Sequence, residues 1–314
     1  MIARRHERTR ANVVAAAAVT GSLVAAAACF NGCSTWKAPE MAKPLAEPLS
    51  YRAPYAVAPP AMTGLLESGA WAAAPWTEDF ADIEGSRKPV PAYRTRAKML
   101  WDEKCLYIGA ELTEPHVWST LKKHDEIVFH DNDFEAFIDP NGDGREYYEI
   151  EINAQGTVFD LFLHRSYREG APAIHEWDAA GMAKGCFVQG TADDSRDLDR
   201  TWTVELAIPW SAFVPPRDAR IDALPAAQRD FGDRARNGAA PATGDTWRIN
   251  FSRVQWRHNH ETLDAANMRT GAPHAGDGTP YAKRALPEDN WVWSPQWAID
   301  MHLPQFWGKV TFVR

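Results

Sequence analysis

Residues 127–163 read IVFHDNDFEAFIDPNGDGREYYEIEINAQGTVFDLFL. Apolar and polar side chains alternate on both sides of its centre, which is the pattern of β-strands with one face in a core. The residues between the two runs, DPNGDG at 139–144, are dense in types that tolerate the dihedral angles of tight turns. We therefore predict a β-hairpin with strands at 133–139 and 147–153.

The same hairpin predicts a group of carboxylates on the face that points away from the core. Side chains directly opposite one another in an antiparallel pair lie about 5 Å apart, and the turn sets Glu135 near Glu149 or Glu151. Like charges at that distance repel unless a positive or hydrogen-bonding group lies between them. We expect this second face to contact a ligand.

The rest of the chain favours an all-β fold. Runs rich in β-branched and aromatic residues recur between Gly, Pro, Asp and Asn breaks, as in an antiparallel β-sandwich of jelly-roll or immunoglobulin-like type. Two long segments, 214–244 and 257–290, are predicted to be loops at the rim of the sandwich. Residues 221–236 could hold a short helix or an exposed loop. The predicted strands are 96–101, 105–112, 133–139, 147–153, 157–163, 187–191, 201–208, 246–254 and 308–313.

The amino terminus has the composition of an export signal. Residues 1–28 contain four arginines, then an Ala/Val-rich apolar run, then three alanines before Cys29. The apolar run is shorter than the roughly 20 residues that a membrane-spanning helix needs. Either Cys29 or Cys33 could carry a lipid. The sequence predicts a protein of the periplasm, the cell envelope or the extracellular space.

The segment after the signal, residues 29–60, is predicted to be a proline-rich spacer. It contains Pro39, Pro44, Pro48, Pro54, Pro59 and Pro60 among Ala, Lys and Glu residues. Such a composition prefers extended, water-facing backbone to a packed core. The predicted folded domain is therefore 61–314, a length that suits one all-β domain with long loops.

Charge excludes some partners. The chain has a net charge of −8, and removal of residues 1–28, with four Arg and one Glu, leaves −11. An acidic surface disfavours nucleic acid and anionic lipid, so membrane contact is expected only through a lipid anchor. It suits neutral ligands or a site bridged by a cation. Cys105 and Cys186 could form a disulfide in an oxidising compartment or remain two separate thiols.

Five sequence blocks, taken in order, resemble the family 9 carbohydrate-binding modules and their stand-alone relatives. The resemblance spans about residues 75–314. No block is decisive alone, because each is a short β pattern, but five in the order of the family make chance agreement a poor explanation. The blocks are 101–103 with 106–108, 132–135 with 137–139, 147–149 with 152–153, 202–210, and 293–295 with 306–310.

The resemblance implies a β-sandwich that binds sugars, often as a non-catalytic appendage of xylanases and other glycoside hydrolases. By this resemblance the two rings that clamp a sugar fall on Phe129 and Trp293, and the acidic residue that holds its hydroxyls falls on Glu135. Where sugar-binding modules can carry arginine, this chain has Glu151. A pyranose has apolar faces for stacking and polar edges for carboxylates, so these residue types suit it. The expected partners are an oligo- or polysaccharide and a glycoside hydrolase.

The resemblance also implies that calcium is possible, since some members of the family bind it. At the hairpin tip, Asp139, Asn141 and Asp143 match the opening of a calcium loop. The twelfth position is Ile150, which cannot close the loop, so a plain Asp/Gly turn is the simpler interpretation. Calcium elsewhere in the sandwich could use Asp133, Glu135 or Glu149.

Two other functions remain open from the sequence. Neighbouring strands could place Glu135 and Glu149 within the roughly 5–9 Å that glycoside hydrolysis needs. A haem-binding sandwich could use Met182, Met301 or His302 as ligands, although their spacing is not diagnostic. His258 and His260 lie two apart in a polar loop without a nearby cysteine, which favours solvated residues over a zinc site. We expect an exported, non-catalytic carbohydrate-binding protein.

Overall fold

The structure is a computed structural model that describes residues 46–170, 172–224, 238–260, 275–285 and 287–314. The predicted export signal, Cys29, Cys33 and most of the predicted spacer lie outside these residues, as do parts of both long rim loops. Within the described ranges, no helix has the length and apolarity needed to cross a membrane.

Two β-sheets form the domain. The larger sheet has nine strands, with the order β1-β13-β11-β5-β6-β7-β8 along its main path and with β12 joining β11 to β2. The smaller sheet has the order β3-β4-β10-β9. The strands are β1 Ser50–Pro54, β2 Ala81–Asp82, β3 Thr95–Trp101, β4 Cys105–Thr113, β5 Asp133–Asp139, β6 Tyr147–Asn153, β7 Val158–Leu163, β8 Ala173–Ile174, β9 Ala183–Gln189, β10 Thr201–Pro209, β11 Thr246–Gln255, β12 Asp289–Val292 and β13 Gly308–Val313.

The predicted hairpin is confirmed as β5 and β6. Their antiparallel register pairs Glu135 with Glu151 and Phe137 with Glu149. At the tip, the buried Asp139 carboxylate accepts hydrogen bonds from the amides of Gly142 and Gly144, each at 2.9 Å. Both glycines have positive φ, 71° and 82°, a conformation that side chains with a Cβ rarely adopt.

The core fills the space between the two sheets. Alternate side chains of each strand point inward, so Phe134 and Ile150 of the larger sheet share one buried cluster with Ile108 and Leu206 of the smaller sheet. This arrangement confirms the predicted β-sandwich. Among the strands of the described residues, all pairs are antiparallel except β1 and β13, which run parallel.

Strand β1 corrects the predicted spacer. Residues 50–54 pair along their whole length with β13, and the side chains of Tyr51 and Ala53 are buried in the core. The Tyr51 hydroxyl donates to the carbonyl of Pro75 at 2.6 Å and accepts from the amide of Met99 at 3.0 Å. The prolines of this segment do not prevent pairing, because Pro54 lies at the end of the strand.

The structure also bears on the predicted short helix and on the two cysteines of the folded domain. The one α-helix among the described residues, α1 Ala219–Asp222, is a single turn at the start of the first long loop. Cys105 and Cys186 are free thiols. They lie on β4 and β9, which are separated by β10, so a disulfide between them is not formed in this fold.

Removal of β1 should destabilise the domain. We expect Tyr51→Ala in the full chain to lower the free energy of unfolding by about 3–5 kcal/mol, because a buried ring and two hydrogen bonds are lost. We expect a chain that starts at residue 61 to unfold at a lower urea concentration than one that starts at residue 46. Urea denaturation followed by tryptophan fluorescence measures both.

The matched control is Arg52→Ala, on the exposed face of the same strand. It should change stability by no more than about 0.5 kcal/mol. Equal urea midpoints for the chains starting at residues 46 and 61 would show that β1 adds nothing to the fold.

Candidate functional site

A pocket of about 340 Å³ opens on the outer face of the larger sheet, opposite the core. Its floor comes from β5, β6 and β7, and its rim comes from the turns around Phe129, Tyr167 and Ile299. The polar lining consists mainly of carboxylates, and the walls are largely aromatic and aliphatic. The lining includes Phe129, Glu135, Phe137, Glu149, Glu151, Phe159, Tyr167, Met301 and His302.

Four carboxylates are buried in and beside the floor. Strand alternation places Asp133 and Glu135 of β5 on the same face as Glu149 and Glu151 of β6. All four residues are no more than 5% exposed. One oxygen each of Asp133, Glu135 and Glu151 lies within 4.8 Å of the others. The pocket thus concentrates acidic groups where little water can stabilise their charged forms.

One rim of the pocket is tied directly to this floor. The backbone amide of Phe129 donates to Glu151 Oε2 at 2.8 Å, and the Phe129 carbonyl accepts from Trp256 Nε1 at 2.7 Å. Just before β5, Asp131 accepts from the amides of Thr120 and Leu121 at 2.8 and 2.9 Å. These bonds fix the turn so that the Phe129 ring, 38% exposed, stands at the pocket mouth.

Another wall of the pocket is built around His302. Its Nδ1 lies 3.0 Å from the Tyr147 hydroxyl, and its Nε2 lies 3.9 Å from Glu149 Oε2. The ring of the half-exposed Tyr167 meets the imidazole edge to face, with centroids 4.5 Å apart. Burial lowers the pKa of His302 to about 4, so the imidazole is neutral at physiological pH and offsets none of the floor charge.

Burial dominates the acid–base behaviour of the floor. It raises the pKa of Glu135 to about 7. For Asp133, Glu149 and Glu151, burial first and then repulsion from Glu135 hold each pKa well above its usual range. The pocket therefore takes up protons, or a positively charged or hydrogen-bond-donating ligand, more readily than solvated carboxylates do.

The floor has the geometry to hold a hard cation. Calcium–oxygen bonds are 2.3–2.6 Å long, so oxygens bound to one calcium ion lie up to about 5 Å apart. The three carboxylate oxygens lie within 4.8 Å of one another and are therefore close enough to share one ion. Asp133 Oδ1 accepts from the Val254 amide at 3.2 Å, whereas the buried Oδ2 accepts no hydrogen bond from the described residues. An unsatisfied buried carboxylate oxygen is costly unless a cation or a proton compensates it.

The structure brings together three of the four residues predicted to bind sugar. Phe129, Glu135 and Glu151 all line the pocket. Trp293 does not, because its ring is 1% exposed in the core between the sheets, where it meets Tyr51. The prediction that Trp293 stacks on a sugar is therefore wrong for this structure. Its Nε1 donates to Glu78 at 3.0 Å.

The oxygens of the predicted calcium loop are engaged in hydrogen bonds within the turn, and the three predicted haem ligands do not all lie together. At the hairpin tip, Asp139 binds the amides of its own turn, and Asn141 donates to Asp143 at 2.9 Å, so these oxygens close the turn. Burial raises the pKa of Asp139 to about 7. Of the haem candidates, Met301 and His302 line the pocket, whereas Met182 borders a separate depression.

His258 corrects the interpretation of the polar loop. It is 1% exposed and packs between His116 and Tyr281, with ring centroids 4.7 and 5.0 Å away. It is part of a buried aromatic cluster and not a solvated loop residue. His260 lies nearer the surface and contacts the same Tyr281 ring.

Sequence reasoning missed the walls of the pocket. Phe159 and Leu161 belong to a strand that was predicted, but their alternation with the polar Asp160 favours the core face for them, whereas both line the pocket. Tyr167 and Ile299 lie in turns more than 130 residues apart. No local pattern in the sequence brings those two turns together.

The raised pKa of Glu135 predicts that the domain loses stability as pH rises. The folded state keeps a proton on Glu135 up to about pH 7, whereas an unfolded glutamate loses it near pH 4.5. The folded state therefore binds more protons between these pH values, and the free energy of unfolding falls across that window. Glu135→Gln should make this dependence shallower, with the rest arising from Asp133, Glu149 and Glu151, and should stabilise the domain at pH 8.

Unfolding by urea between pH 4.5 and 8, with chelator present to remove cations, measures this effect. The control Glu67→Gln removes an exposed carboxylate and should keep the wild-type slope. A wild-type stability that rises from pH 5 to pH 7, or a Glu135→Gln slope equal to the wild-type slope, would contradict the account.

Comparisons with known proteins agree with the fold. A candidate carbohydrate-binding protein from Bacteroides uniformis matches with a TM-score of 0.52 at 15% identity over 85% of this chain and 100% of that chain. A family 9 carbohydrate-binding module from Caldicellulosiruptor kristjanssonii, solved with cellotriose, gives 0.45 at 12% identity, over 84% and 93% of the two chains. The first of these likenesses shows the β-sandwich fold.

Sequence comparisons identify the family. The Exoglucanase XynX of Acetivibrio thermocellus is 34% identical over 64 residues, which are 20% of this chain and only 6% of that protein. The sequence model described as "Carbohydrate family 9 binding domain-like" matches residues 64–247, more than half of the chain. That range holds β2 to β10 and therefore the whole acidic floor of the pocket. The chain belongs to the carbohydrate family 9 binding domain-like family.

Proposed function

We propose that the pocket on the outer face of the larger sheet binds a saccharide without cleaving it. The observation that carries this proposal is the joint placement of the Phe129 ring and the Glu135 and Glu151 carboxylates around one opening of about 340 Å³. A pyranose stacks its C–H face on an aromatic ring and donates its hydroxyls to carboxylates. A pocket of this volume holds one or a few sugar units.

The geometry favours a chain end or a short oligosaccharide. Phe129, Tyr167 and His302 line one pocket of about 340 Å³, which has room for one or a few sugar units. The Tyr167 ring is 49% exposed and offers a second stacking surface. We propose that Tyr167 is the second ring that stacks on the sugar, a role that the family resemblance had implied for Trp293.

Hydrolysis is the weaker candidate. Glycosidases place two carboxyl groups on opposite sides of the scissile bond. Here the predicted pair, Glu135 of β5 and Glu149 of β6, lies on one face of one sheet, so both carboxyl groups meet the same side of a ligand. That arrangement suits hydroxyl recognition better than acid–base attack.

The wider biological setting follows from the amino terminus and the family. An arginine-rich, alanine-rich start supports export, with a lipid on Cys29 or Cys33 as one means of attachment to an envelope. We propose that the protein holds polysaccharide near the cell surface for a separate glycoside hydrolase. The short match to an exoglucanase supports that setting.

Saccharide binding should depend on the Phe129 ring and the Glu135 carboxylate. We expect calorimetry with gluco- and xylo-oligosaccharides to find a ligand whose affinity falls about tenfold in Phe129→Ala and about tenfold in Glu135→Gln, because each removes one stacking or charge-assisted contact. Incubation with the same sugars should release no new reducing ends.

The matched control is Phe187→Ala. This ring is 43% exposed, close to the 38% of Phe129, but it lies on β9 in the other sheet. It should bind sugar as wild type does. A ligand that binds wild type and Phe129→Ala equally would refute the pocket as its site, and release of reducing ends that stops in Glu135→Gln would establish hydrolysis instead.

Calcium should bind at the pocket floor and not at the hairpin tip. We expect added calcium to raise the melting temperature of wild type, and this rise to disappear in Asp133→Asn, because the floor then loses one anionic ligand. Asp143→Asn at the exposed hairpin tip is the control and should keep the rise. Differential scanning calorimetry with calcium or chelator decides between the two positions. A rise lost only in Asp143→Asn would place calcium at the tip.

A further inference from the structure

A second group of possible metal ligands lies beside β7, apart from the pocket. His124 Nε2 lies 2.7 Å from Asp178 Oδ1, 3.4 Å from Asp125 Oδ1 and 3.8 Å from Asp160 Oδ1. The four ligand atoms all lie within 4.8 Å of one another. His124, Asp160 and Asp178 border a depression of about 220 Å³ on the surface.

The buried member of this group has an unsatisfied oxygen. Asp160 is 1% exposed, and its Oδ2 accepts from the Ala179 amide at 2.5 Å. Its Oδ1 is also buried but accepts no hydrogen bond from the described residues. This Oδ1 lies 3.8 Å from His124 Nε2 and therefore faces the cluster. A carboxylate oxygen buried in this way costs free energy unless a cation lies next to it.

We propose that His124, Asp125, Asp160 and Asp178 bind a first-row divalent transition metal ion, with zinc as the representative. One imidazole nitrogen and three carboxylate oxygens complete a four-coordinate set. With bonds of about 2.0–2.1 Å, tetrahedral ligand atoms are about 3.3 Å apart. The three distances from His124, 2.7 to 3.8 Å, bracket that value.

The ligand types select the metal. Calcium and magnesium prefer oxygen ligands alone, whereas imidazole suits zinc, copper, iron and nickel. Three of the side chains, those of His124, Asp125 and Asp178, are 46–61% exposed, so they can adjust to the ion while the buried Asp160 stays fixed. The nearby Lys184 ammonium is engaged by the carbonyl of Gly156 at 2.6 Å.

The site would join three separate segments of the chain. His124 and Asp125 lie in the loop before β5, and the Asp125 amide donates to the carbonyl of Val158 at the start of β7. Asp178 follows Trp177, whose ring is buried in the main core against Tyr148. A bound ion would therefore hold two long loops to β7 and stabilise the packing under them.

A protonated His124 without any metal is the competing explanation. The imidazolium would itself supply the positive charge among three carboxylates, and the hydrogen bond to Asp178 raises the pKa of His124. The two explanations differ in what added metal does. A metal site gains an ion and stability, whereas an imidazolium pair gains neither.

Zinc titration of the full chain by calorimetry, together with melting curves, tests the proposal. Wild type should bind one more zinc equivalent than His124→Ala and Asp178→Asn, whose affinity at this site should fall at least about tenfold. Zinc near 100 times the dissociation constant should raise the melting temperature of wild type by about 5 °C or more, and not that of either variant. Calcium at equal concentration should not displace zinc from this site.

The control His130→Ala removes an exposed histidine outside the cluster and should bind zinc as wild type does. Asp178 is 61% exposed, so Asp178→Asn should fold even if another variant does not. Equal zinc binding by wild type and both cluster variants would overturn the proposal. So would a wild type that binds no zinc, in which case the imidazolium explains the cluster. Loss of sugar binding would not bear on this test, because the pocket uses other residues.

Discussion

The register between β5 and β6 is the constraint on which the structure depends. Pairing of Glu135 with Glu151 sends Phe134 and Ile150 into the core and the carboxylates to the outer face. A shift of one residue would exchange the two faces and put the carboxylates between the sheets. The turn that sets this register is closed by Asp139 with its own amides. Fold and site thus come from one hairpin.

The outer face carries a cost that the core must offset. Four carboxylates are buried there beside neutral His302, and burial raises their pKa values. A fold selected for stability alone would place apolar side chains at these positions, because buried uncompensated charge is unfavourable. Retention of such a floor fits a surface that binds donors or a cation. The same principle applies to Asp160 beside β7, where the proposed ion is different because a histidine is present.

The sequence predicted the parts of the molecule that rest on local patterns. Alternation and turn chemistry predicted the sandwich, the hairpin and the closeness of Glu135 to Glu149 or Glu151. Phe129 lines the pocket, and its contact with a sugar stays a prediction. Trp293 was misplaced because alternation shows that two residues share a face but not which face meets the core. The strand at residues 50–54 was not predicted, because the many prolines around it indicated a spacer even though buried Tyr51 alternates with exposed neighbours. The cluster of His124 with Asp160 and Asp178 has no spacing signal, since only the packing of loops against β7 unites it.

The central claim is that a saccharide occupies the acidic pocket of the larger sheet. A crystal structure of the protein soaked with an oligosaccharide that it binds in solution tests this most directly. We predict a sugar ring stacked on Phe129 or Tyr167, with hydroxyls within hydrogen-bonding distance of Glu135 or Glu151. A sugar found on the smaller sheet or on the rim loops, with the pocket filled only by water, would contradict it.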